Sequence, residues 1–184
     1  MFSFLVVRKG NNHKTKNESR TTNYKLTTEE FMPAIIGEAA PSFKLKASTD
    51  TEVSLEDFKG KKNVVLVFYP LDFSPTCSIQ LPEYSSRKAD FEKANAEVLG
   101  INRDSVYTHK AWAKEFGIDV PLLADMTNSV AKDYGVDIPE RGMSKRAVFV
   151  IDKAGVLRHA HVENSPGDFT FHADDILREL AKLS

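Results

Sequence analysis

Two unbroken apolar runs, Val64-Val-Leu-Val-Phe-Tyr69 and Ala147-Val-Phe-Val-Ile151, are the clearest features of the hydrophobic pattern. Each has the length of a strand, and continuous apolar character predicts a strand covered on both faces. Around them the pattern changes period. Phe43-Lys-Leu-Lys-Ala47 alternates and predicts a half-exposed strand, while Leu55 to Asn63 reads as a short turn-like segment. Glu97–Asn102 and Pro121–Ala124 predict two further strands. Val156–Val162 follows the second apolar run across Asp152-Lys-Ala-Gly155, a hairpin turn.

Between the strands the spacing is helical. A helix is expected from about Pro75 to Ala94, with a kink at Pro82, where the backbone lacks a donor and the ring crowds the preceding turn. The next helix, N-capped by Asp104 or Ser105, carries Trp112 and Phe116 four residues apart and ends at Gly117. A short helix from Asn128 to Tyr134 is closed by Gly135. The last helix aligns Ile176, Leu177, Leu180 and Leu183 in one stripe, with Asp174 and Asp175 in its first turn. Alternating strands and helices with a late hairpin predict an α/β fold: a central mixed sheet flanked by helices on both faces.

Residues 1–31 break this pattern. They are polar, rich in Lys, Asn and Thr, and show no sustained period, so a disordered extension is expected there, with residues 32–184 forming one domain. The apolar start, Phe2 to Val7, precedes the positive charges, the wrong order for a secretory signal. Twenty-five basic against 26 acidic residues leave no global electrostatic case for nucleic acid or an anionic membrane. No apolar run approaches bilayer length.

One cysteine, Cys77, rules out an internal disulfide, a Cys-x-x-Cys redox pair and a cysteine-based zinc cluster within this sequence. A lone cysteine fits either a small buried hydrophobe or a reactive thiol in a reducing, cytoplasmic setting. Its local context favours the second. Ser74 is a good N-cap and Pro75 suits the first helical position, which places Cys77 in the first turn. Unpaired N–H groups and the positive end of the helix dipole there stabilise a thiolate. Arg146, at the mouth of the second apolar strand, is the best candidate for a neighbouring cation, although spacing alone fits an ordinary flanking charge equally well. Full ionisation of a thiol gains only about thirtyfold in thiolate at neutral pH. Fast chemistry at such a sulfur therefore needs oriented donors as well, and Arg146, Ser74 and the N–H groups of Thr76 and Cys77 are the candidates.

Pro70-xxx-Ser74-xx-Cys77, between a buried strand and a helix, resembles the signature of the peroxiredoxin family. The resemblance extends from about Ala34 to Leu183, through Gly37-Glu-Ala-Ala-Pro-Ser-Phe43, the stretch Ala111 to Asp125, and Lys145-Arg-Ala-Val-Phe-Val-Ile-Asp152. It implies a thioredoxin-like fold and hydroperoxide reduction without metal, haem or other cofactor. It also implies that Cys77 cycles between thiolate and sulfenic acid, that Ser74 and Arg146 hold thiolate and peroxide, and that Pro70 shields the sulfur. With one cysteine, the chain is most similar to the alkyl hydroperoxide reductase E group. An external thiol (thioredoxin, glutaredoxin or a small thiol) would then reduce the sulfenate, and a homodimer is expected. Gln80 departs from the family, in which many members carry Glu three residues after the cysteine.

Two other readings compete. One is a peroxide sensor or chaperone-like thiol protein acting through a protein partner, and the other a non-catalytic binding module with an inert thiol. His159, His161 and Glu163 alternate on one strand face as metal ligands would, but a solvated sheet face accounts for them and no metal site is expected.

Overall fold

The computed structural model describes residues 34–183. The stretch 1–31, expected to be disordered, lies outside the described residues.

The chain enters through a small antiparallel hairpin, β1 (Lys44–Lys46) and β2 (Glu52–Ser54), followed by a single 3-10 turn over Leu55–Phe58. The central elements follow in order: β3 (Asn63–Phe68), α1 (Cys77–Ser86), α2 (Lys88–Lys93), β4 (Ala96–Asn102), α3 (Val106–Phe116), β5 (Leu122–Ala124) and α4 (Ser129–Asp133). After a two-residue pair, β6 (Asp137–Ile138) and β7 (Met143–Ser144), come β8 (Ala147–Ile151), β9 (Leu157–Val162) and α5 (Ala173–Ala181). Five strands form the main sheet in the order β5-β4-β3-β8-β9. β3, β4 and β5 run parallel, whereas β8 is antiparallel to β3 and β9 to β8. This is the mixed, thioredoxin-like sheet expected from the sequence.

Period-two geometry explains why the apolar runs are unbroken. Val65 and Val67 of β3 point into one core with Leu81, Tyr84, Phe91, Trp112, Ile176 and Leu180 from the helices. Val64, Leu66 and Phe68 point into the other, with Phe43, Leu55, Val130 and Tyr134. Both faces of the central strand are covered, so neither has room for a polar residue. Among the described residues, no helix is long and apolar enough to cross a membrane.

Local signals at α3 act as predicted. Ser105 Oγ accepts from the Thr108 amide at 3.3 Å, and Gly117 closes the helix in the left-handed region, where a Cβ would be strained. The helix expected over 75–94 is instead two helices, broken at Arg87. α1 runs through Pro82 without ending there. Pro82 has no N–H for the carbonyl one turn back, but the following bonds still close.

Candidate active site

The main sheet delivers two distant residues to one point. Phe68 at the end of β3 pairs with Ala147 at the start of β8 in antiparallel register. Arg146, immediately before β8, therefore lies beside the loop that carries the chain from β3 to Cys77. Without that register the two residues would be 69 positions apart in sequence and unrelated.

Cys77 is the first residue of α1, and its side chain is wholly buried. The Ser78 amide bonds the Ser74 carbonyl at 2.9 Å, but the helix starts at Cys77 with Thr76 at its N-cap, two residues later than the cap expected at Ser74. The cap itself differs from the prediction. Ser74 Oγ donates to the Leu71 carbonyl at 3.0 Å, and no side chain caps the helix. Thus the hydroxyl expected to face the sulfur closes its own turn instead. Phe73, just before it, sits at φ 58°, a left-handed conformation that costs a bulky residue about 1–3 kcal/mol. That residue turns the chain from the loop into the helix.

Arg146 is 1% exposed, and its Nη2 donates to Cys77 Sγ at 3.4 Å and to the Pro166 carbonyl at 2.9 Å. Nη1 donates to Gln80 Oε1. Among the described residues no carboxylate lies within salt-bridge distance of this buried guanidinium (Glu163, whose amide bonds the Arg146 carbonyl, spends its own oxygens on Thr170 and Phe171). Burying a cation without a counter-charge is expensive. Ionised, the sulfur supplies that charge.

Pro70 is buried in the same loop, and Thr76 Oγ1 donates outward to the Gly167 carbonyl at 3.2 Å. Both contacts from the 163–171 loop, Pro166 to Arg146 and Gly167 to Thr76, close the site from outside. Of the residues singled out from sequence, the structure brings Cys77 and Arg146 into direct contact. Pro70, Ser74 and Thr76 frame them without a hydrogen bond to the sulfur.

Further residues surround this pair, of which Tyr84, Asp72 and Phe171 were not singled out from the sequence. Gln80, 1% exposed, lies one turn after Cys77, and its Nε2 donates to Tyr84 Oη at 3.3 Å, which in turn donates to the Phe171 carbonyl. The spacing 77, 80, 84 places all three on one helix face, a signal present in the sequence but shared by any buried stripe. Burial pushes the Tyr84 phenol well above its ordinary range, which keeps it a donor. Beneath the loop, Asp72 Oδ1 accepts from Tyr69 Oη at 2.9 Å and from Asn102 Nδ2 at 3.0 Å. Its Oδ2 accepts from His109 Nδ1 at 2.7 Å, and its amide donates to Asp104 Oδ2 at 2.9 Å. His159 and His161 stack against Phe171, with ring centroids at 5.3 and 4.6 Å. Trp112 packs against Tyr69 and donates to Ser78 Oγ at 3.2 Å, beside the reactive turn.

A buried thiol at a helix start thus meets a buried guanidinium that has no carboxylate in reach among the described residues. The AhpC/TSA family model matches residues 36–160. The chain is 41% identical over 145 residues to the chloroplastic 2-Cys peroxiredoxin BAS1 of Hordeum vulgare, a match covering 73% of this chain and 69% of that one. Its identity with peroxiredoxin-2 of Bos taurus is 45% over 143 residues, covering 72% and 71%. Among solved structures, reduced 2-Cys peroxiredoxin from Plasmodium vivax superposes with a TM-score of 0.74 at 38% identity, covering 81% of each chain. With family model, relatives and fold in agreement, the chain belongs to the AhpC/TSA family and is a thiol-dependent peroxidase of the peroxiredoxin type.

Proposed function

We propose that the enzyme works by a single-cysteine mechanism in which Cys77 is the peroxidatic residue and an external thiol completes the cycle. The observation that carries this reading is the contact between the buried Cys77 sulfur and Arg146 Nη2, in a sequence with no second cysteine. The relatives named 2-Cys peroxiredoxins have a second-cysteine chemistry without a counterpart in these 184 residues.

In the first step the Cys77 thiolate attacks the terminal hydroxyl oxygen of R–O–OH. The S–O bond forms as the O–O bond breaks, leaving Cys77 as S–OH. The departing alkoxide takes a proton and leaves as alcohol, or as water when the substrate is hydrogen peroxide. Arg146 serves both ends of this step. It holds the thiolate before attack and stabilises negative charge on the leaving oxygen, a differential interaction of the kind that lowers barriers. Pro70 keeps water from the sulfur, while the Thr76 and Cys77 amides at the helix start add donors to the peroxide. Ser74 acts through loop geometry, because its hydroxyl is committed to Leu71.

Sulfenate reduction then takes two thiols. The first displaces water to give a mixed disulfide, and the second releases Cys77 and leaves with its partner as a disulfide. Thioredoxin, glutaredoxin or a small thiol could fill this role in a reducing compartment such as the cytoplasm. Single-cysteine chemistry of this kind aligns the chain with the E group. A homodimer formed through the exposed Leu71 and Phe73 near the site fits the same reading.

The test is the second-order rate of oxidation by hydrogen peroxide, followed by stopped-flow fluorescence of Trp112. Expected is a rate orders of magnitude above that of a free thiol, absent in Cys77→Ser and at least about a hundredfold lower in Arg146→Ala. A free-thiol rate that Arg146→Ala leaves unchanged would refute the mechanism and favour a sensor role.

A further inference from the structure

Among the described residues, the Arg146 guanidinium has one hydrogen-bond partner that can carry a negative charge, Cys77. Its donors reach Gln80 Oε1, Cys77 Sγ and the Pro166 carbonyl. Gln80 and Pro166 supply uncharged acceptors. We propose that Gln80 is a positioning residue whose neutral amide holds Arg146 against Cys77 while leaving the whole of the guanidinium charge to the thiolate. The proposal rests on the reading of Cys77 as the peroxidatic residue and concerns how its reactivity is set.

The orientation of that amide follows from its neighbours. Arginine donates and cannot accept, so Gln80 must present Oε1 to Arg146 and turn its NH2 towards Tyr84. Tyr84 can receive that bond because its own proton goes to the Phe171 carbonyl. Three links therefore share one direction, and a reversed amide would set donor against donor at Arg146. Gln80, 1% exposed, has no solvent alternative.

Charge is the other half of the argument. A carboxylate at position 80 would accept the same bond from Nη1 and would also neutralise the guanidinium. The thiolate would then share its counter-ion with a second anion in a buried site, where unlike charges within about 4–6 Å shift ionisation by about 1–3 pH units. Among the described residues, the titratable groups around this point are Tyr69 with its partner Asp72, Glu83 and Tyr84 on α1, and His161 and Glu163 at the end of β9 and just after it. Glu83 accepts from the Ala173 amide and His172, and Glu163 from Thr170 and Phe171. Neither is hydrogen-bonded to Arg146.

Two variants separate charge from position. Thiolate absorbance near 240 nm, read against pH, follows the ionisation of Cys77 independently of any peroxide, with Cys77→Ser subtracted as background. In Gln80→Glu the curve is expected to move upward by about one pH unit or more, with the peroxide rate at neutral pH about tenfold lower. Gln80→Met keeps the volume and the neutrality but loses the bond. Its absorbance curve should move far less than that of Gln80→Glu, while its peroxide rate falls severalfold because Arg146 is no longer held. Identical curves for the Glu and Met variants would overturn the charge argument, and an undiminished rate in Gln80→Met would overturn the positioning. If Gln80→Glu fails to fold, the Met variant still decides the positioning claim. A wild-type enzyme that reacts no faster than a free thiol would instead refute the proposed function, whatever the variants do.

Discussion

Replacing Asp72 by alanine tests how the reactive loop is held. Asp72 lies in the segment between β3 and α1, and its side chain is 1% exposed. Its carboxylate accepts three hydrogen bonds, from Tyr69 Oη, Asn102 Nδ2 and His109 Nδ1, at 2.9, 3.0 and 2.7 Å. All three donors are buried, Tyr69 and His109 completely. Asn102 keeps an alternative acceptor in Asp104 Oδ2 at 3.1 Å, so its loss is partial. The other two are left without a partner, each at a cost of about 1–3 kcal/mol. Domains are commonly stable by about 5–15 kcal/mol, so the variant should fold with a large part of its stability gone. Urea unfolding followed by circular dichroism measures this directly. With a slope of about 2 kcal/mol per molar, the midpoint should fall by about 2 M. A cycle with His109→Ala should then show strong coupling, because the two residues share one bond. A loss below about 1 kcal/mol, or additive single effects, would refute the reasoning and mean that the network is already satisfied by water.

Two further predictions follow from packing and charge. A Cβ at Gly100 would lie 2.7 Å from Leu122 Cδ2, 3.2 Å from Tyr69 and 3.3 Å from Leu81, so Gly100→Ala should destabilise by about 1–3 kcal/mol in the same urea assay. An unchanged midpoint would show that Leu122 can turn away freely. His172 accounts for a pH dependence: its bond to Glu83 at 3.0 Å, aided by that carboxylate's charge, raises its pKa above the ordinary 6.5. A raised folded-state value means that this contribution is complete below about pH 6.5 and is lost as pH rises through the folded value. Thermal stability should therefore decline over that interval, and Glu83→Gln should flatten the slope. An identical slope in the variant would place the titrating group elsewhere.

Particular elements show why part of this was legible in the sequence. β3 and β8 are apolar throughout because each is covered on both faces, so burial itself wrote the signal. Ser105 and Gly117 mark the ends of α3 through chemistry that is local to the chain. The short pairs β2, β6 and β7 escaped notice, since two or three residues are too few to show a period. The single helix expected over 75–94 failed for a related reason: Arg87 carries no breaker signal, and its non-helical backbone is set by the turn between α1 and α2. Ser74 shows the limit of local rules. It was expected to cap the helix, but the cap falls at Thr76, and the Ser74 hydroxyl bonds backwards to Leu71 because the loop, with Phe73 in a left-handed conformation, brings that carbonyl within reach.

By itself, the sequence determined the alternating α/β pattern, the entry of a helix at the only cysteine, and the family resemblance that pointed to peroxide chemistry. These depend on neighbours within a turn or a strand, where side-chain period and capping act directly. Tertiary structure decided which charge meets the sulfur. Arg146 reaches Cys77 only through the register of β3 with β8, and Gln80 becomes its neutral partner only once α1 packs beside them. The pairing of Asp72 with His109 likewise spans 37 residues. No pattern along the chain encodes such contacts, because Coulomb and hydrogen-bond energies depend on distance in space, and folding sets that distance.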